Sequence, residues 1–372
     1  MRKAILCLTL CFFLTGCRDE KIIEQMGFAR TLAYDTANPD GSGNLLRITI
    51  SIPQAQPHHT RILLSTTARS SKEARLIFTR ENNRQVVSGQ LRTALFGEKL
   101  SSIGLWHHVD SLVRDPSIGN TVSVVVVEGD ANDLLESEFS QYPSTGEYIE
   151  TLIRSGSRAN EIPSSNLYTF TRDFMDKGID PVAPILKASK ESIKLDGLAL
   201  FREDRYVGKV EPRDSLLIAS MMGRVHSGEL AIPVPSENGE ESDIVIMSFM
   251  SSKRKITISH KQPIKSGSDL NVVVHMKLRG SLLEYTGTMK LQEAEIQKKM
   301  EAMMSAYLEK EGTRIIKMMQ QLSADSLGIG QYARNEMSYA QWERTDWHAF
   351  FSRANIKVVA DVKIKDLGKV QQ

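Results

Sequence analysis

The sequence predicts a mixed α/β fold of the α+β kind with three domains: N-terminal α/β units, then a C-terminal antiparallel sheet covered by a long helix. Three observations support this fold class. A helical stretch at 97–113 precedes the apolar run 122–127, as in a strand–helix–strand crossover. Apolar and polar residues alternate over 272–278, which is typical of a half-buried strand. An amphipathic pattern then extends over 293–322.

In the N-terminal half, strands alternate with helices. Residues 22–34 begin the fold, and turn residues 38–41 join them to the alternating segment 46–52 as a hairpin, before a polar loop at 53–59. Apolar residues at helical spacing, several preceded by capping residues, predict helices at 70–79, 97–113, 130–138, 144–153 and 167–178. The apolar run 122–127 predicts a buried strand, and segment 91–96 could be a strand or a helix.

Prolines at 181 and 184 mark a boundary, after which a new unit begins, and strands predominate from Asp243 onward. Residues 193–201 and 206–210 predict a second hairpin, and Asp214 caps a helix that ends near Gly223. Further strands are predicted at 244–249, 256–259, 272–278 and 356–364. The apolar stripe of the long helix contains Ile296, Met300, Met303, Tyr307, Ile315, Met318 and Leu322, and its methionines are expected in the core.

The chain is longer than one hydrophobic core usually supports, so several domains are expected. Residues 1–17 are predicted to be a signal peptide, and residues 18–190 an N-terminal α/β region that could divide near residue 65. Residues 191–240 are predicted to form a hairpin–helix middle unit that could pack with the first hairpin. Residues 241–372 are predicted to form the C-terminal sheet with its long helix.

The N-terminus has the pattern of a lipoprotein export signal. Arg2 and Lys3 precede the apolar stretch 4–14, which is shorter than the roughly 20 residues that a transmembrane helix needs. Leu14-Thr15-Gly16-Cys17 then matches the site where bacterial lipoproteins receive a diacylglyceryl group. Cys17 is therefore the predicted lipidation site, carrying S-diacylglycerol and an N-acyl chain, which together hold a protein stably on a bilayer.

Composition and charge restrict the possible partners. Removal of residues 1–17 takes away Arg2 and Lys3 and no acid, which leaves 45 Lys and Arg against 45 Asp and Glu. A neutral mature chain gives no reason to expect nucleic acid as a partner. All cysteines lie at or before Cys17, so the folded body is expected to contain no disulfide and no cysteine-based metal site.

Candidate reaction centres are weak. His107-His108 with Asp110 is the nearest approach to a metal or catalytic cluster, but adjacent helical residues point about 100° apart, so a structural or surface role is expected. The pair His58-His59 is interpreted in the same way. Gly328-Ile329-Gly330 resembles a dinucleotide motif but follows a helix, so a helix terminus is expected. No catalytic residue, metal or cofactor is predicted.

Several segments, in this order, resemble the Ger(x)C family, the lipoprotein C subunits of spore germinant receptors. They are the Cys17 motif with the charged residues and Ile-Glu pair that follow it, Gly104-Leu105, Val109-Asp110, Arg114-Asp115-Pro116, the strand 122–127 with Glu128-Gly129, the segment 196–201 with its hairpin partner 207–209, Trp347, Phe350-Phe351 and Gly368.

The resemblance implies a non-catalytic docking subunit, lipid-anchored in the cell membrane on the outer face of the inner spore membrane. It implies two integral-membrane partners, an A-type subunit with a soluble domain and a transporter-like B-type subunit, which is the expected nutrient site. The shared motif residues are expected to be structural: Asp110, Arg114, Asp115, Pro116 and Trp347. Asp110 and Arg114 have the spacing of a helical ion pair.

Two other classes remain possible on the sequence. A solute-binding lipoprotein of an import system has similar length and anchoring, but requires two similar α/β lobes around a ligand cleft. A lipoprotein hydrolase would have to use His107 or His108.

Overall fold

The computed structural model describes residues 26–38, 45–56, 59–159, 162–223, 227–237, 239 and 242–367. The signal peptide, Cys17, positions 39–41 of the predicted turn, His58 and Gly368 lie outside the described residues.

The described residues form a large sheet, a smaller sheet and a short two-stranded pair. The strands are β1 Met26–Phe28, β2 Thr31–Thr36, β3 Leu46–Gln56, β4 His59–Ala68, β5 Gln85–Val87, β6 Thr93–Gly97, β7 Ser123–Val127, β8 Val182–Ala188, β9 Ile193–Arg202, β10 Arg205–Val210, β11 Gly228–Val234, β12 Asp243–His260, β13 Leu270–Tyr285 and β14 Asn355–Asp366.

The helices flank both sheets. They are α1 Ser71–Glu81, α2 Glu98–Ile103, α3 Trp106–Val113, α4 Ala131–Glu136, α5 Thr145–Arg158, α6 Leu167–Met175, α7 Pro212–Met221, α8 Ala294–Leu322, α9 Gly330–Ala333, α10 Tyr339–Arg344 and α11 Trp347–Phe351. Ser144 accepts a hydrogen bond from the Glu147 amide at 3.2 Å, so the cap predicted for α5 is present.

Eight strands of the described chain form the large sheet in the order β10-β9-β8-β7-β6-β2-β3-β4. Strands β8, β7, β6 and β2 are parallel, and an antiparallel pair extends each side. Successive side chains of a strand face opposite sides, so Leu95 belongs to the hydrophobic core that contains residues of α4, α5 and α7, whereas Phe96 belongs to the core that contains residues of α1, α3 and α6. The parallel pairing of β6 with β7 is the crossover that the sequence predicts.

The predicted continuous helix at 97–113 is wrong, because the chain breaks at Gly104. Its φ of 139° is outside the range that L side chains adopt easily. Asp204 holds the break: its carbonyl accepts from the Leu105 amide at 3.0 Å and its carboxylate accepts from the Trp106 amide at 2.9 Å. A contact from a residue far along the chain thus ends α2 and begins α3.

The predicted loop at 53–59 is also wrong, since β3 continues to Gln56 and β4 begins at His59. Pro53 is opposite Arg61, and the register shifts between Pro53 and Gln56. A bulge of this kind accommodates proline, which lacks an amide donor.

The second hairpin, β9 and β10, belongs to the large sheet. The prolines at 181 and 184, where the sequence predicts a boundary, lie before and inside β8, which pairs with both β7 and β9. A register shift next to Pro184 accommodates its missing amide. This hairpin extends the side of the sheet opposite to the first hairpin. The domain limits at 190 and 240 stay a prediction.

The four described strands of the smaller sheet have the order β11-β12-β13-β14. Strands β11 to β13 are antiparallel, while β14 joins β13 in parallel. The two short strands predicted at 244–249 and 256–259 form one strand, β12, with a register shift near Phe249. The long helix α8 covers this sheet. The predicted mixed fold, with its C-terminal sheet and long helix, is confirmed.

The buried face of α8 is rotated slightly from the predicted stripe. Met303, Met318 and the other stripe residues at 296, 307 and 322 are only partly buried. Its fully buried side chains are Met300, Met304, Leu308, Ile315, Ile316 and Met319.

Helix α8 also closes the outer edge of β14. The amides of Ala360, Val362 and Ile364 donate to Glu309, Ser305 and Glu301, respectively, at 3.1, 3.1 and 2.9 Å. Four helical residues advance about 6.0 Å and two strand residues about 6.6 Å, so the two spacings nearly match. These side chains satisfy amides that an exposed edge would leave open to pairing with another chain.

Candidate functional site

Asp115 joins the end of α3 to α1. Its carboxylate is buried and accepts from Lys72, from Arg75 at 3.3 Å, and from the Ser117 amide and hydroxyl at 3.1 and 2.7 Å. Burial by itself would raise the pKa of Asp115, but the bonds from Lys72 and Ser117 outweigh it and lower the pKa to about 2.

Asp110 and Arg114 form the helical ion pair for which they are spaced, with Arg114 Nε donating to Asp110 Oδ2 at 2.7 Å. The Arg114 side chain is 77% exposed, so the pair contributes little to stability. Pro116 is exposed just beyond the end of α3.

Replacing Asp115 by alanine is expected to lower the free energy of unfolding by about 2 kcal/mol, because two cations and a turn lose their acceptor. The pKa of Asp115 is lowered on folding, so its contribution is present above about pH 4 and disappears as the pH falls towards 2. Urea unfolding at pH 7 and pH 3 measures both effects. Arg114→Ala is the matched control, with an expected loss below about 0.5 kcal/mol. Equal losses for the two variants would contradict the assignment.

Trp347 lies in the hydrophobic core that also contains Leu95. It takes part in a polar group, the junction cluster, formed by Asp180, Asp325, Trp347 and His348. Trp347 Nε1 donates to Asp325 Oδ2 at 2.9 Å. The amides of Ile329 and Gly330 donate to the two oxygens of the same carboxylate, at 3.0 and 2.8 Å. The Asp325 side chain is completely buried.

Asp180 provides the other half of the junction cluster. Its carboxylate accepts from the Asp325 amide at 2.7 Å and from the Glu203 amide at 2.8 Å, while its own amide donates to the Asp325 carbonyl at 3.0 Å. His348 Nε2 lies 3.1 Å from Asp180 Oδ1. The cluster therefore fastens the segment before β8 to the segment after α8.

The electrostatics of the cluster follow from burial. Loss of solvent raises the pKa of Asp325 to about 7, against the opposing effect of its hydrogen bonds. Burial by itself would lower the pKa of His348, but the hydrogen bond and charge of Asp180 outweigh it and raise the pKa. Because the polar groups satisfy one another, the arrangement is suited to holding two parts of the chain together.

Further contacts surround the cluster. Lys177 donates to the carbonyls of Trp342 and Glu343 at 3.1 and 3.0 Å. Gly178 and Gly330 bring their backbones together so closely that a Cβ on Gly330 would lie 2.6 Å from the Gly178 Cα. The Gly328–Gly330 motif thus begins α9 against another segment of backbone, and Gly330 is needed for the close approach.

The histidine pair lies in α3 and is not part of the junction cluster. His108 stacks on Tyr34 with ring centroids 5.9 Å apart, and burial together with neighbouring His107 lowers the pKa of His108 to about 4. The imidazole rings of His107 and His108 meet edge to face. Over the residues that the structure describes, no group of three or more His, Cys, Asp or Glu is arranged to hold a metal ion.

Asp180, Asp325 and His348 are the polar residues that sequence reasoning did not identify. Asp180 precedes a proline, which predicts a turn, and Asp325 lies in the short connection after the long helix. The one available signal is that an aspartate next to small or helix-starting residues often accepts hydrogen bonds from backbone amides. That signal cannot pair two segments so distant in sequence.

Residues 19–188 match the family described as the spore germination protein N-terminal domain, and residues 196–368 match the spore germination B3/GerAC-like C-terminal family. The chain belongs to the GerAC-like family of spore germination proteins. The Ger(x)C resemblance is therefore confirmed. The two matches meet within the β8–β9 hairpin, and the junction cluster takes Asp180 from the first match and its other members from the second.

Relatives of this GerAC-like chain match over nearly their whole length. The spore germination protein GerQC of Bacillus cereus is 24% identical over 369 residues, covering 99% of both chains. The putative spore germination protein YfkR of Bacillus subtilis strain 168 is 22% identical, covering 98% of this chain and 96% of its own.

The fold of the GerAC-like chain is similar to that in the crystal structure of the GerBC protein, with a TM-score of 0.54 at 19% identity over 92% of this chain and 100% of that one. The two dissimilar sheets are not the paired lobes that the solute-binding alternative requires. Across the part of the chain that the structure describes, no helix combines the length and apolar character needed to cross a bilayer.

Proposed function

We propose that this protein is the lipid-anchored, non-catalytic subunit of a nutrient germinant receptor. The observation that carries the proposal is the pair of family matches, which together cover almost all of residues 19–368. The subunit acts with two integral-membrane subunits, one A-type and one transporter-like B-type, on the outer face of the inner spore membrane. Its role is to dock and position these partners.

The chemistry of the described residues supports a docking role. The buried carboxylates of Asp35, Asp115, Asp180 and Asp325 accept bonds from amides and side chains within the fold. Each is occupied in holding two segments together. The buried motif residues Asp115 and Trp347 are therefore structural, and they keep the subunit rigid for docking.

Cys17→Ala is expected to move most of the protein from the membrane fraction of dormant spores to the soluble fraction, because the acyl chains provide the anchor. Nutrient germination should be impaired in the same spores. Immunoblotting of the two fractions and the loss of optical density after nutrient addition measure these effects. Cys7→Ala and Cys11→Ala are matched controls, since both residues belong to the removed signal peptide. A membrane-bound Cys17→Ala variant, or a soluble one that germinates normally, would overturn the anchoring proposal.

Crosslinking of the tagged protein in dormant-spore inner membranes tests the partners. Capture of two polytopic receptor subunits supports the receptor assignment. Capture of an ATP-driven permease would favour the solute-binding alternative, and failure to capture either would count against both.

A further inference from the structure

An arginine-lined pocket of about 260 Å³ lies beside the C-terminal half of α5, where β6 and β7 begin. Arg154 and Arg158 are four residues apart and share one face of α5. Arg92 reaches the pocket from the residue before β6, and its backbone is fixed by bonds to the Arg30 carbonyl at 2.9 Å and the Ser123 amide at 2.8 Å. Three guanidinium groups from two segments therefore line one small space.

The described residues that line this pocket carry more positive than negative charge. Among its described lining residues, Glu150 is the one carboxylate, and it is already bound by Arg30 at 2.8 and 3.3 Å and by Arg154 at 3.8 Å. The described residues provide no hydrogen bond or ion pair for the side chains of Arg92 and Arg158. The partial negative charge at the C-terminus of α5, about half a unit, is smaller than the charge of these two cations.

The remaining lining residues are of two kinds. Hydroxyl-bearing residues line the pocket together with the arginines, and the hydroxyl of the buried Ser165 donates to the Val182 carbonyl at 2.8 Å. The others are Thr121, Ser123, Ser157 and Ser164. The floor is apolar and buried, formed by Ile153, Ile162, Pro163 and Pro184. The pocket thus combines cationic forks and hydroxyl donors with an apolar surface.

We infer that this pocket binds a small organic carboxylate with a short apolar portion. Guanidinium groups bind carboxylates through paired hydrogen bonds, and hydroxyls add further donors. The volume is below the range of about 300–1,000 Å³ of drug-sized ligand sites, so the ligand must be small. The apolar floor accommodates its hydrocarbon part. The inference does not depend on the proposed receptor role.

Isothermal titration of the purified full-length protein with isovalerate tests the inference. We expect saturable binding that weakens about 10-fold or more in Arg92→Ala and in Arg158→Ala, since each removes charge-assisted hydrogen bonds. Ser157→Leu keeps every charge but fills the pocket, and should also abolish binding. Arg80→Ala removes the last-turn arginine of another helix and should bind as the wild type does. Circular dichroism checks that each variant is folded.

Two further arms identify the source of the anion. Inorganic phosphate should bind more weakly than isovalerate, because it has no apolar part to contact the floor of the pocket. Any binding of the protein to phosphatidylglycerol vesicles should not depend on Arg92 or Arg158. Saturable isovalerate binding lost in these variants supports the inference. Absence of isovalerate binding, binding equal in all variants, or arginine-dependent binding of vesicles alone would overturn it.

Discussion

Replacing Asp325 by alanine is expected to lower the free energy of unfolding by about 3–5 kcal/mol, the largest loss for a single side chain of the junction cluster. The substitution leaves the amides of Ile329 and Gly330 and the indole N–H of Trp347 buried without their acceptor. Asp325→Asn should recover only part of the loss, because its NH2 group would face donors. Urea unfolding followed by tryptophan fluorescence measures both variants.

Asp133→Ala is the matched control for this prediction. Asp133 also accepts a hydrogen bond, from the Arg47 guanidinium at 2.7 Å, but its side chain is 65% exposed. Its removal is expected to change the free energy of unfolding by less than about 1 kcal/mol. If Asp325→Ala were as mild as Asp133→Ala, the junction cluster would not be what fastens the two segments.

Replacing Gly197 by alanine is expected to prevent stable folding of the β9–β10 hairpin, at a loss of more than about 4 kcal/mol. Gly197 has a φ of 98°, and a Cβ there would lie 1.9 Å from the Val210 carbonyl oxygen. That oxygen belongs to the paired strand, so neither backbone can move without breaking the pairing of Leu198 with Val210. The expected result is insoluble protein or a greatly lowered urea midpoint.

Gly119→Ala provides the comparison, because its Cβ would meet Thr121 at an ordinary 3.7 Å and its φ is not in the positive region. This variant should differ from the wild type by less than about 1 kcal/mol. A Gly197→Ala protein with the stability of Gly119→Ala would show that the hairpin does not need the close approach. The hairpin also contacts the C-terminal part, since a Cβ on Gly208 would lie 2.6 Å from Leu322.

Local pattern was sufficient for the elements whose own residues carry the signal. The apolar run before Glu128 predicted β7, the spacing of Ser144 and Glu147 predicted the start of α5, and the amphipathic repeat predicted α8. The same is true of the Asp110–Arg114 pair, which depends on four-residue spacing within one helix. In each case the residues involved are near neighbours in sequence.

The polar sites required the folded chain. Trp347 was singled out by resemblance, but its acceptor Asp325, and the contact of Asp325 with Asp180 145 residues earlier, could not be inferred from local pattern. The arginine pocket likewise brings Arg92 to Arg158 from separate elements.

By itself the sequence determined the family, the mixed α/β class and most helix and strand positions, because these depend on motifs and on hydrophobic periodicity. The anchor at Cys17 stays a prediction from the sequence. The tertiary structure alone decided the break at Gly104, the parallel addition of β14 and the joining of the second hairpin to the large sheet. These features depend on hydrogen bonds between residues far apart in sequence. Such partners become neighbours only when the two cores have packed.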